Sequence, residues 1–244
     1  MAALHYDLIG TPRKAMGLVV LQTDETIETE LRQILPRSLS LFVNRVPSAP
    51  EVTRDTLARM EAHLTGAAAL LPGTDALAVT GYGCTSGTAQ IGQARIAELI
   101  HAGVRTAHVT EPVSALIAAC RQAGLTRLAF LSPYVEEVSA HLRSLLADQG
   151  IATPVFGSFE EADEARVARI APAAIARAAN NLVQGAGVDA VFLSCTNLRS
   201  FEIIPGLQDS LGLPVLSSNL VIGWHMLRLA QAVPPDCRPG DLLT

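Results

Sequence analysis

Two stretches of this chain repeat one another at a fixed distance, and the repeat narrows the folds open to it. Residues 75–79 followed by Cys84-Thr85-Ser86 resemble residues 189–193 followed by Cys195-Thr196-Asn197, with the two cysteines 111 residues apart. The pattern of residues 16–20 with Thr23-Asp24-Glu25 returns as residues 127–131 with Tyr134-Val135-Glu136, again at an offset of 111. A third pair, Thr110 and Ser217, each before a helical pattern, is 107 apart. Single matches between buried strands are weak, because apolar runs look alike. The shared offset carries the argument: it describes one unit used twice.

The unit is an α/β one. Short apolar runs at 14–21, 40–46, 75–80, 106–110, 127–131, 154–159, 189–193 and 214–216 read as strands. Between them lie helical patterns, among them 53–71, 89–101, 112–123 and 164–184. Continuous apolar strands alternating with helices predict parallel sheets covered on both faces. Pro172 predicts a break in the last of those helices. Apolar residues make up 49% of 244, with only 17% charged, enough for a large core. The division expected is residues 1–118 plus 217–244 for one half and 119–216 for the other.

Composition excludes several function classes. A net charge of -5 with no basic cluster argues against nucleic-acid binding. No apolar run approaches the ~20 residues of a membrane span, and the first residues do not read as a signal peptide. A cytoplasmic location is expected, with Cys84, Cys120, Cys195 and Cys237 as free thiols. No C-x-x-C pair or matching His supports a metal site, so none is expected.

In parallel α/β folds ligands gather beyond the carboxyl ends of strands. Both cysteine loops lie there. Cys84 sits between a strand and a helix, with Gly81, Gly83 and Gly87 around it and Thr85, Ser86 and Thr88 as hydroxyl donors. The positive end of a helix should favour its thiolate. A related pair of halves would set the two thiols on opposite walls of one cleft, fit for proton removal and delivery, or for attack and protonation. Two structural cysteines at equivalent packing positions are the competing reading. Asp24 reads either as a helix cap or as a cleft residue. Asn219, at a strand end, is expected to face the cleft. His225 could do so, although one histidine on an amphipathic helix is more often packed. Cys120 and Cys237 read as structural.

Gly83-Cys84-Thr85-Ser86-Gly87 with Ser194-Cys195-Thr196-Asn197-Leu198 resembles the two-cysteine signature of the aspartate/glutamate racemase superfamily. Within it, the chain is similar to the branch of maleate cis–trans isomerases and arylmalonate decarboxylases. Leu131-Ser132-Pro133-Tyr134, Leu213-Pro214-Val215-Leu216-Ser217-Ser218 and Glu28-Thr29-Glu30 fit the same branch. The likeness runs over nearly the whole chain, and its motif is more specific to the superfamily than to a substrate.

The resemblance implies two Rossmann-like halves related by a pseudo-two-fold axis, an active site between them, no cofactor, and a small carboxylate substrate. A homo-oligomer is expected. By the same resemblance Cys84 is the nucleophile and Cys195 the acid of an isomerase or racemase. Thr85, Ser86, Thr196 and Asn197 would cradle carboxylate oxygens, and Tyr134 would hydrogen-bond one. Decarboxylases of the branch lack the first cysteine, so keeping both disfavours simple decarboxylation. That reaction stays as an alternative, and a non-catalytic ligand-binding protein is another. One departure stands out: the isomerases carry Asn where this chain has Asp24. A carboxylate there repels a dianion and suits an amine or amide. The run from Thr23 to Glu28 resembles members associated with ectoine utilisation.

Overall fold

The central strands are apolar on both faces, and each becomes the buried middle of a parallel sheet. In the computed structural model, which describes residues 3–8, 13–73 and 75–243, β1 (Ala15–Leu21) lies between β2 (Ser40–Val46) and β3 (Val79–Gly83), with the short β4 (Val109–Thr110) outside β3. The second sheet has β5 (Arg127–Ser132) between β6 (Ala152–Ser158) and β7 (Ala190–Leu193), with β8 (Val215–Ser217) outside β7. The spatial orders β2-β1-β3-β4 and β6-β5-β7-β8 are the same, and every pairing between these strands is parallel. The expected α/β architecture of two parallel sheets with helices is therefore present. Leu18, Val19 and Val20 of β1 and Leu128, Ala129 and Phe130 of β5 are wholly buried, as two-sided burial requires.

The helices are α1 (Ile27–Ile34), α2 (Arg54–Arg59), α3 (Glu61–Ala69), α4 (Thr85–Ile91), α5 (Gln93–Gly103) and α6 (Pro112–Ala123) in the first part of the chain. They continue as α7 (Glu136–Asp148), α8 (Glu164–Val167), α9 (Pro172–Leu182), α10 (Ile204–Leu211) and α11 (Ser218–Leu229). The C-terminal α11 packs on α6, α1 and β3, and so returns to the first sheet.

Three expectations are corrected. The helix read over 53–71 is two helices, because Met60 closes a tight turn onto Leu57 and Ala58 while its side chain turns inward to the Tyr82 hydroxyl. The helix expected from residue 89 starts at Thr85, directly after Cys84, and stops at Gly92, whose φ of +96° favours glycine. The strand expected over 106–110 shrinks to two residues plus an isolated bridge between Leu77 and Thr106. Pro172 does mark a break: four residues separate the end of α8 from Pro172, which opens α9.

Candidate active site

Equal strand orders place β3 and β7 at equivalent positions, so Cys84 and Cys195 follow equivalent strands, although Cys84 caps a helix directly and Cys195 lies in a loop. One narrow cavity, with a volume of only about 10 Å³, is lined by both thiols and by Asp24, Thr85, Ser86, Tyr134, Glu164 and Thr196, with Leu21, Val52 and Leu57 as its apolar wall. Its cover is shared by both parts of the chain. The Val52 N–H donates to the Ala162 carbonyl at 3.0 Å, and the Glu164 N–H donates to the Pro50 carbonyl at 3.0 Å. Cys84 and Cys195 are 6% and 5% exposed.

Each thiol is held by its own loop. Cys84 caps α4, its Sγ accepting from the Gly87 N–H at 3.1 Å, while its carbonyl accepts from the Thr88 hydroxyl. Close approach requires glycine at 87. A Cβ there would stand 2.6 Å from the Tyr82 hydroxyl and 2.9 Å from the Cys84 Sγ. Gly87→Ala should therefore cost about 1–3 kcal/mol in urea unfolding, as overpacking does. Gly66→Ala, on α3 with nothing within 4 Å of the added Cβ, serves as the control and should be neutral or stabilising. Equal stabilities for the two variants would refute this account of the Cys84 loop.

Cys195 accepts from the Asn197 N–H at 3.2 Å and lies 3.0 Å from the Tyr134 hydroxyl. The single Tyr134 proton points to Glu164 Oε1, at 2.5 Å. The Cys195 thiol is then the donor to the Tyr134 oxygen, which makes a chain of thiol, phenol and carboxylate. Asn197 Nδ2 holds the other Glu164 oxygen at 2.8 Å. A hydroxyl link joins the two cysteine loops: Thr85 donates to Ser218 Oγ at 2.7 Å, and Ser218 Oγ accepts the Cys195 N–H at 3.0 Å.

Burial decides the protonation of this site. It pushes the Cys84 thiol up to about 12, against the Gly87 N–H, and the negative charges of Glu164 and Asp24 add to the rise. Burial also raises Cys195 well above its ordinary value, again with Glu164 contributing. The expected thiolate at the helix start is thus corrected: one N–H and a short helix do not offset desolvation. Burial likewise raises Asp24 and Glu164, opposed by the N–H groups of Ile27 and Thr26 at Asp24 and by Tyr134 and Asn197 at Glu164.

Asp24 turns out to be both cap and cavity residue. Its Oδ1 accepts the N–H groups of Thr26 and Ile27 at 2.8 and 2.9 Å, while its buried Oδ2 has no partner. Of the sequence-selected residues, Cys84, Cys195, Asp24, Thr85, Ser86, Tyr134 and Thr196 meet at the cavity. Asn197 and Asn219 stand behind its wall. The Asn197 side chain is taken up by Glu164 and by the Glu25 N–H, and Asn219 Nδ2 by Glu30 and the Thr196 carbonyl. His225 bonds the Thr110 hydroxyl and stacks on Trp224, away from the lining. Glu164 was missed. It ends an acidic run, Glu160-Glu161-Ala162-Asp163-Glu164, in which nothing local sets it apart. Among the described residues no cluster of side chains suits a metal ion, and no helix is long and apolar enough to cross a membrane.

The model of the arylmalonate decarboxylase family matches residues 17–238. The chain belongs to that family. A maleate isomerase of Geobacillus stearothermophilus is 28% identical, with 94% of this chain and 96% of the relative aligned. The arylmalonate decarboxylase of Bordetella bronchiseptica is 27% identical over 52% of this chain and 53% of its own length. Among solved structures, a cysteine-to-serine mutant of the Nocardia farcinica maleate cis–trans isomerase, with a covalently bound succinylcysteine intermediate, superposes with a TM-score of 0.79 at 24% identity, over 94% of this chain and 98% of the other. A crystal structure of arylmalonate decarboxylase also superposes, with a TM-score of 0.68 at 21% identity over 88% of this chain and 92% of the other, so the chain shares its fold with both enzymes.

Proposed function

We propose that the chain is a cofactor-independent isomerase or racemase acting at a carbon next to a carboxylate, through Cys84 and Cys195. The observation that carries this reading is the pair of buried thiols at equivalent strand ends, both lining one cavity. Relatives named maleate isomerases, and the succinylcysteine held by one of them, support thiol chemistry on a small carboxylate.

Two protonated thiols must become one thiol and one thiolate before turnover. In the racemase form the thiolate takes the proton from the α-carbon, the electron pair spreads into the carboxylate, and the opposite thiol returns a proton to the other face. In the isomerase form the Cys84 thiolate adds to a double bond, rotation follows about the resulting single bond, Cys195 supplies a proton, and elimination restores both groups. The chain from Cys195 through Tyr134 to Glu164 gives the donor thiol a route for exchanging its proton. The Ser86 hydroxyl and the first N–H groups of α4, as neutral donors, would hold the carboxylate and its developing charge, joined by Thr85 and Thr196 once their hydroxyls turn from Ser218 and the Gly83 carbonyl.

Incubation in deuterated water with maleate and with single-enantiomer amino-acid derivatives tests the proposal. Deuterium at the α-carbon or formation of fumarate is the expected result. Release of carbon dioxide instead would favour the decarboxylase reading, and no reaction at all would favour a ligand-binding protein.

A further inference from the structure

We propose that the substrate carries a cationic nitrogen, an ammonium or amidinium group beside its carboxylate, and that Asp24 and Glu164 receive it. The proposal rests on the isomerase or racemase reading for the chemistry, and on the cavity itself for the ligand class. The titratable side chains that line the cavity are two carboxylates, two thiols and a phenol, and no Lys, Arg or His is among them. Asp24 is 4% exposed, and its buried Oδ2 has no partner at hydrogen-bond geometry, although the Thr196 hydroxyl lies close enough to the carboxyl to favour its charged form. A buried acceptor of that kind needs a donor, and an ionised one needs a cation.

The two cations described at this turn make their bonds to other groups, although the charge of Arg45 still favours an ionised Asp24. Arg45 reaches the same turn, yet its guanidinium donates to the carbonyls of Leu21, Gln22 and Asp24 and to the Glu28 carboxylate. Arg169 pairs with Glu25, on the exposed side of the turn. Glu164 is satisfied by Tyr134 and Asn197 in part, and each of its oxygens retains a lone pair. A dicarboxylate placed in this cavity would meet two more carboxylates and no cation. A nitrogen cation would meet Asp24 Oδ2 directly, with the Ser86 hydroxyl and the first N–H groups of α4 left for the substrate carboxylate, since Thr85 donates to Ser218 and Thr196 to the Gly83 carbonyl.

The same arrangement links binding to activation. Asp24 and Glu164 both hold the Cys84 thiol in its protonated form. A cation seated between them and the sulfur offsets that field, so the thiolate becomes accessible when such a substrate is bound.

The test is calorimetric binding of L- and D-alanine and L- and D-proline as nitrogen-bearing probes, with maleate and methylmalonate as dianions, on wild type and on Asp24→Asn. Wild type should bind at least one nitrogen-bearing probe at least ten-fold more tightly than either dianion. Asp24→Asn, which keeps an oxygen for the α1 cap, should weaken that probe at least ten-fold and tighten maleate. Glu164→Gln is the second variant, for use should Asp24→Asn unfold at lower temperature than wild type. If no nitrogen-bearing probe binds, or if maleate binds as well as they do, the inference is overturned, and conversion of maleate to fumarate would then leave the isomerase reading standing. Selective binding of the probes without any α-deuterium would do the reverse.

Discussion

Cys84→Ser and Cys195→Ser should each lower kcat/KM at least 10³-fold on whatever substrate is turned over, with the melting temperature within a few degrees of wild type. The size follows from the loss of a nucleophile or of a positioned proton donor, groups worth about 10²–10⁴-fold or more. Stability should change little, because a serine oxygen still accepts the Gly87 N–H at position 84 and the Asn197 N–H at position 195. The two variants should fail differently. In an isomerisation, Cys195→Ser can still add Cys84 to the double bond and should accumulate a protein adduct visible by mass spectrometry, whereas Cys84→Ser should not. In a racemisation, each variant should lose the ability to interconvert enantiomers in both directions. If either variant keeps half of the wild-type rate, the two-thiol mechanism is wrong.

Glu30→Ala should be the most destabilising single change near the site, by roughly 3–5 kcal/mol, which for a chain of this size is about 6–20 °C in melting temperature. Glu30 sits on α1, and its buried carboxylate accepts the N–H groups of Ser200 and Phe201, the Ser200 hydroxyl and Asn219 Nδ2. Truncation leaves the buried N–H groups of Ser200 and Phe201 and one amide proton of Asn219 without an acceptor, while the Ser200 hydroxyl keeps Ser217, and each orphaned donor costs about 1–3 kcal/mol. It also frees the turn after Cys195 from α1, so activity should fall with stability.

The pH dependence has a definite sign. Burial raises the Glu30 carboxyl above its ordinary 4.5, against the donation from Phe201, Asn219 and Ser200. The folded protein then binds the proton more tightly than the unfolded chain, so the stability that Glu30 contributes falls as pH rises through the window above 4.5. The loss in Glu30→Ala should accordingly be larger near pH 4 than near pH 8. Urea denaturation at both values checks it, and a loss under 1 kcal/mol at both would remove Glu30 from this role.

The resemblance named the family, and the residues alone named the architecture. What each missed follows from distance along the chain. Thr85 and Ser86 could be found because they adjoin Cys84 in a strand-to-helix turn. Glu164 could not, because it reaches the cavity only when the segment before α8 runs alongside residues 50–52. Asn219 was expected to face substrate from its place at a strand end, yet the Glu30 carboxylate, far away in sequence, claims its amide. Ser218, which stands in the sequence within the stretch that resembles the family, bridges the two cysteine loops.

By itself the sequence determined the alternation of strands and helices, the duplicated unit and the placing of two thiols at equivalent strand ends. Hydrophobic period and repeat spacing are local properties that any window of residues displays. Only the tertiary structure decided that the two loops close one buried cavity with Asp24 and Glu164 inside it, and that Cys84 is held as a thiol rather than a thiolate. Desolvation is the reason. It sums over every group that excludes water from the sulfur, and those groups come from both sheets, so no single stretch of the chain contains it.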